Sequence, residues 1–231
     1  MAKQERAEQT RQRLIEAAAA EFAEHGYVGT SLHRIVDSAG VTMGALTFHF
    51  RTKSALADAV QEAGTTATRE IVRAAAPAPG VRGVLDGVLA LADALRTRQS
   101  IRAAARLTRE GHAPGSGWYD SWAPGLRDSV ERAWREEPPD GGLTPLAATS
   151  LLSHVLLGVE AAACAPDALR TVTGDGPQES LSQALTALGA LLTPAAPAGT
   201  ADGTDFTYGT ETPPLPPSSP PSPKSPLGRV G

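Results

Sequence analysis

Between Thr30 and Ser54 the chain gathers side chains that bind phosphate. There are hydroxyls on Ser31 and Thr42, imidazoles on His33 and His49, and cations on Arg34, Arg51 and Lys53, with Asp37 the only acid. Held along one edge, such a set contacts a nucleic-acid backbone through charge-assisted hydrogen bonds, with an affinity that falls as salt rises. The intervening residues supply the scaffold. Leu32, Ile35, Val36 and Ala39 recur at helical spacing on one face, and Ala39-Gly40-Val41 provides a small residue, a turn glycine and an apolar plug. Thr42 then opens a second, short helix, where its hydroxyl either accepts from the free N–H groups of the first turn or turns outward to a phosphate oxygen. Val41, Leu46 and Phe50 are expected in the core. Gly44 and Ala45 are small enough to let that helix sit close in a major groove, with Met43 and Thr47 projecting toward base edges. Ser31 and Arg34 reach the backbone from the preceding helix, although Arg34 reads equally as a solvated charge and His49 as a satisfied structural histidine.

Periodicity and breakers place the supporting elements. Residues 5–25 read as a long first helix with Leu14, Ile15, Ala18 and Phe22 on its inner face, stopped by His25-Gly26. Lys53-Ser54 opens a helix that runs to about Ala76, where Pro77 and Pro79 end it. Further helices are expected near 81–98, 100–112, 118–136, 144–163 and 177–192, separated by GHAPGSG, EEPPDGG and TGDGP. No alternating run suggests a strand, so the fold class is all-α. The organisation is a three-helix, helix-turn-helix domain over 1–52, a larger helical domain over 53–192 and, from 193 to 231, a tail dominated by Pro, Ser, Thr and Gly. That tail cannot bury enough apolar surface to order itself. It reads as a solvated segment or as a polyproline-type ligand.

Charge and composition narrow the function classes. The net charge of −4 argues against a nucleic-acid partner only if the sum is what matters, and the local field decides. Residues 1–60 hold seven basic and seven acidic residues, so the whole deficit lies in the remainder. No run of about 18 apolar residues and no signal-like leader is apparent, which points to a cytoplasmic chain without a membrane partner. Cys164 is the only cysteine, and the five histidines show no H-x-x-x-H spacing, so neither a disulfide nor a metal site nor any other cofactor is implied. Ser153-His154 and Asp120 are residue types found in hydrolases. With no G-x-S-x-G elbow and no strand to present a nucleophile, a catalytic reading is unsupported.

The ordered pattern G-Y-x-x-T-S-x-x-x-I followed by A-G-V-T-x-G-A-L-x-F-H-F-x-x-K-x-x-L resembles the amino-terminal domain of TetR-family transcriptional repressors. With the opening MAKQERA and the GHAPGSGWYDSW segment, the chain is most similar to the gamma-butyrolactone autoregulator receptor branch. The resemblance implies phosphate contacts for Thr42, His49 and Lys53, and Phe48 joins the DNA-facing set. It departs at Met43 and Thr47, where such receptors often carry a lysine and a tyrosine, so an operator sequence does not carry over.

The resemblance also implies a repressor that leaves a pseudo-palindromic, double-stranded operator when a small apolar effector binds, in control of antibiotic or secondary-metabolite genes. Trp118 falls where those receptors place a tryptophan over their ligand, and Trp122 follows one turn later. Trp118 and Trp122 are the candidate ligand-binding residues, Trp118 reading as pocket wall or core and Trp122 more readily as core, while Trp134 reads as an amphipathic surface anchor. One short recognition helix covers too little sequence, so a homodimer reading two half-sites is expected. Its interface would come from the helices near 144–163 and 177–192, whose Leu151, Leu152, Val155, Leu156 and Val159 read either as dimer surface or as the core of one subunit. The alternative is a ligand-binding or protein-interaction module of the same fold that has lost DNA binding.

Overall fold

The computed structural model describes residues 2–112, 117–138 and 142–164, together with 183, 184 and 186–188. The tail from 193 and most of the expected helix 177–192, with Leu181, Leu185 and Leu192, lie outside the described residues. Among the described residues the chain forms, in order, the helices α1 Ala2–Gly29, α2 Leu32–Ala39, α3 Met43–His49, α4 Lys53–Ala75, α5 Gly80–Thr97, α6 Gln99–Arg109, α7 Ala123–Glu136 and α8 Pro145–Cys164. A 3-10 turn, Gly117–Ser121, precedes α7, and no strand occurs among the described residues.

The expected stop at Gly26 is a kink. Gly26 adopts φ 70°, left-handed backbone that favours glycine, and one further helical turn carries the chain to Gly29. The Thr30 hydroxyl closes that turn by donating to the Gly26 carbonyl at 2.6 Å. Ser31 caps α2, accepting from the His33 N–H, and Gly40 at φ 63° ends it as the left-handed C-cap. Thr42 and Thr52 cap α3 and α4 by accepting from the Ala45 and Ala55 N–H groups at 3.1 and 3.0 Å. Four caps in 22 residues make helices this short viable, because each end would otherwise leave bare N–H and C=O groups.

Two apolar cores result. The first joins Leu14, Ala18 and Phe22 of α1, Ile35 and Val36 of α2, Leu46, Phe50 and Leu56, and closes with Ala103 and Leu107 of α6. The second joins α5, the other face of α6, all three tryptophans, α7 and Ala148, Leu152 and Leu156 of α8. α4 and α6 serve both cores and are packed tightly together. A Cβ built on Gly64 of α4 would lie 2.5 Å from the Ala104 Cβ and would strike the Ser100 carbonyl oxygen.

The tryptophans depart from the sequence expectation. They do not share one helix: Trp118 sits in the 3-10 turn, and Trp122 is the non-helical residue before α7. Trp134 is not a surface anchor but a core residue, 9% exposed, with Nε1 donating to the Leu143 carbonyl at 2.8 Å. A polar tip satisfied by a backbone carbonyl lets an indole enter the core. α8 is long and apolar enough to cross a membrane by length and composition, which the sequence reading missed because Thr149, Ser150, Ser153 and His154 interrupt the run. Its Leu152 and Leu156 are buried, while Leu146, Leu151 and Leu157 are exposed.

Candidate nucleic-acid interface and effector cavity

The outer face of α3 is open. Thr42, Gly44, Thr47 and Phe48 are exposed, while Leu46 is buried and anchors the helix, as its spacing implies. Met43 and Ala45 are half-buried, and Met43 packs against the first core, so less of its side chain is free for a base edge than its position suggested. The Thr47 hydroxyl donates to the Gly44 carbonyl at 3.1 Å, which commits its proton to the helix. Phe48 is 79% exposed and meets His49 edge-on at 5.0 Å between ring centroids. A large aromatic held in water at a helix surface has no folding role there, and it can pack on sugar or base.

The cations divide into two groups. Arg34 is not a free solvated charge: its guanidinium donates to the Gly29 carbonyl at 2.6 Å and lies 3.6 Å from Glu21. Lys53 donates from Nζ to the Thr30 carbonyl at 2.6 Å and sits 4.6 Å from the Tyr27 ring centre, and burial lowers its pKa. Both brace the turn between α1 and α2. Arg51, noted in the sequence for its charge but assigned no contact, is exposed beside α3. The open edge therefore consists of Thr42, Thr47, Phe48, His49 and Arg51. Thr42→Ala removes both the cap and a surface hydroxyl, and a stability loss of about 1 kcal/mol in urea unfolding is expected, alongside weaker operator binding.

A second cluster ties this head to α6. The Glu110 carboxylate accepts from the Tyr27 backbone N–H at 2.7 Å and from Arg106 Nε at 2.9 Å. The Arg106 guanidinium continues to the Ala23 and Glu24 carbonyls just before the Gly26 kink of α1, and His112 stacks on Tyr27 at 3.6 Å. A Cβ at Gly26 would also overlap the Glu110 carboxylate and force that side chain to shift off its partners. Burial pushes the Glu110 carboxyl up, but the Tyr27 hydrogen bond and the Arg106 and Arg109 charges outweigh it and hold it below the ordinary value. A depressed carboxyl pKa means that its stabilisation is fully present above the unfolded-state value and is lost as pH falls through the folded one. Urea midpoints should therefore fall more steeply below the normal carboxylate range in the native chain than in Glu110→Gln.

Among the described residues an apolar cavity lies at α4, α5, α7 and α8 and spans about 440 Å³ counting its open mouth. Val72 and Ala75, Val84, Gly87 and Val88, Trp122, Leu126 and Leu156 line it, with Ser129 the one hydroxyl. Trp118 does not. It is fully buried behind Trp122, ring centroids 5.6 Å apart, and its Nε1 donates to the Thr68 hydroxyl of α4 at 2.9 Å. Trp122, expected as core, is both: 3% exposed and a wall of the cavity. Elsewhere in the body the exposed Arg109 and the buried Glu160 pair at 2.6 Å, joining α6 to α8. Burial raises the Glu160 pKa despite that partner. No cluster of metal-ligating side chains occurs among the described residues.

Comparison with known proteins agrees with this geometry. Residues 14–60 match the family model of bacterial regulatory proteins, tetR family. Over 137 residues the chain is 37% identical to the A-factor receptor protein of Streptomyces griseus, covering 57% of this chain and 48% of that protein. The chain thus spans about half the length of that curated relative. Among solved structures, a gamma-butyrolactone receptor described as ArpA-like superposes with a TM-score of 0.59 at 27% identity, covering 80% of this chain and 97% of that one. CprB of Streptomyces coelicolor, in complex with its biological operator sequence, superposes with a TM-score of 0.58 at 26% identity, covering 81% and 98%.

Proposed function

Because the chain belongs to the TetR family of bacterial regulators, we propose that it is a homodimeric repressor. In this reading it holds a pseudo-palindromic operator through α3 and releases it when a small apolar effector enters the body. The observation that supports DNA binding best is the outward set Thr42, Thr47, Phe48, His49 and Arg51 on and beside a capped helix whose other face is locked in the core. These side chains pair phosphate-binding groups with an aromatic and a methyl for the groove. Arg34 and Lys53 act one step back, fixing the turn that aims α3. Residues 1–52 form the DNA-binding head, completed by packing against α4 and α6, and the effector and dimer functions belong to the body from 53 onward.

The position of the cavity supports a release mechanism, because α4 forms one of its walls and an effector seated there bears on that helix. That helix packs without slack: a Cβ on Gly125 of α7 would overlap Val72, and one on Gly87 of α5 would lie 3.1 Å from Ala75. Displacing α4 moves the element that starts at Lys53, directly after α3, and changes the separation of the two recognition helices. A ligand that binds only the displaced state lowers operator affinity by that preference. The exposed Leu146, Leu151 and Leu157 of α8 suit the dimer contact, whereas Leu152 and Leu156 already serve the subunit's own core. Sedimentation of the full chain with and without a selected operator tests the assembly. Two chains per operator are expected; a monomer on DNA would refute the dimer.

A further inference from the structure

The break in α1 is held by a helix of the body. At Gly26 the backbone leaves helical geometry, with φ 70° and ψ −178°. A break of that kind strands carbonyls before it and N–H groups after it. The end of α6 supplies partners for both. Arg106 Nη1 donates to the Ala23 and Glu24 carbonyls at 3.1 and 2.7 Å, Glu110 accepts from the Tyr27 N–H at 2.7 Å, and the two side chains bond to each other at 2.9 Å. These bonds engage ionised groups, which makes them stronger than neutral ones. The pair acts as a splint laid across the kink, and it fits closely enough that a Cβ on Gly26 would overlap the Glu110 carboxylate.

The splinted turn is also where the helix-turn-helix begins. From Tyr27 the chain reaches Thr30, whose carbonyl accepts from Lys53 Nζ at the start of α4, and then Ser31, the cap of α2. His112, just beyond α6, stacks on the Tyr27 ring, and Lys53 Nζ lies 4.6 Å from the centre of the same ring. The head is therefore attached to the body at two places, through the chain itself where α3 passes into α4, and through α6 at the kink. One attachment makes a hinge, whereas two fix an angle.

We propose that Arg106 and Glu110 are positioning residues for operator recognition: they set the angle of the head on the body, and that angle determines which separation of half-sites the dimer accepts. Neither belongs to the open edge around α3, so both act through the turn they hold. Each base pair inserted between half-sites moves one of them by about 3.4 Å along the DNA axis and about 35° around it, so a head held at a fixed angle meets one spacing. A head free to swing about α4 alone would follow the displaced half-site, after losing freedom to order itself on binding. The assignment rests on the dimeric, operator-holding reading above.

Its test uses the operator that the native full chain selects, together with duplexes carrying one base pair more or one fewer at the centre. For the native chain either change of spacing is expected to weaken binding about tenfold or more. In Arg106→Ala and in Glu110→Ala the selected operator should weaken by about three- to tenfold, while the penalty for a changed spacing shrinks to within about threefold. Each penalty is a ratio of affinities within one preparation, so a variant that is merely less stable lowers both terms alike and keeps the native ratio. Glu110→Gln retains an oxygen for the Tyr27 N–H but turns an NH2 group toward Arg106, and its penalty should fall between those of the native chain and Glu110→Ala. Arg51→Ala, on the open edge, should weaken all the duplexes equally. A native penalty retained in both alanine variants, or a native chain indifferent to spacing, would overturn the assignment and leave the repressor standing. A native chain that selects no operator would refute the repressor reading and the positioning role with it.

Discussion

Replacing Trp118 with alanine is expected to lower unfolding free energy by about 3–5 kcal/mol, the range for emptying the space of a fully buried aromatic. The ring is 0% exposed and its N–H is bonded to Thr68 of α4, while its backbone N–H donates to the Thr108 hydroxyl of α6. Trp118 thus fastens the 3-10 turn to both shared helices; alanine keeps the backbone bond to Thr108 but loses the ring's packing and its tie to Thr68 of α4. Urea unfolding of the variant checks the size of the effect. A loss below about 1 kcal/mol would mean that the site collapses freely or is already a ligand wall. Trp118→Phe separates the contributions, since it keeps most of the ring and deletes the donor.

At Gly64 the expected sign opposes helix propensity. Alanine in a helix interior is ordinarily about 0.5–1 kcal/mol better than glycine. Here the added methyl would meet the Ser100 backbone oxygen and the Ala104 Cβ, and neither is the free end of a flexible chain. Gly64→Ala should therefore destabilise by about 1–3 kcal/mol, as overpacking of a tight core does. The helices relieve the overlap only by moving apart, and α4 carries the head. Operator affinity should fall more than the stability loss alone requires under conditions where the variant remains folded. Denaturant unfolding and operator binding measured on the same preparation separate the two effects. Greater stability with unchanged operator affinity would show that the α4–α6 crossing has slack and does not transmit motion.

Local chemistry explains which parts of this arrangement were readable from sequence. Gly40, Thr42 and the Leu46 and Phe50 spacing determine their own backbone and burial, and the structure places them as expected. The fates of Arg34 and Lys53 were not readable, because their partners are backbone carbonyls of Gly29 and Thr30, groups with no residue-type signature. Trp134 looked amphipathic because its sequence neighbours Arg132, Arg135 and Glu136 are charged, but the Leu143 carbonyl that admits it to the core comes from a separate segment. Trp118 and Trp122 were one turn apart in sequence, yet the 3-10 turn ends between them and sends one ring to α4 and the other to the cavity. Arg51 carried the right charge and lacked only a position, which the exposed edge after α3 supplies.

Selection of genomic DNA fragments by the purified full chain at about 0.15 M salt, followed by a salt titration on the best fragment, tests the repressor account most directly. The account predicts one enriched pseudo-palindrome, bound by two chains, with affinity falling steeply as salt rises and less steeply in Arg51→Ala. Absence of any enriched sequence, or salt-insensitive binding indifferent to Arg51 and Thr42, would contradict it and leave an effector-binding module that does not read DNA.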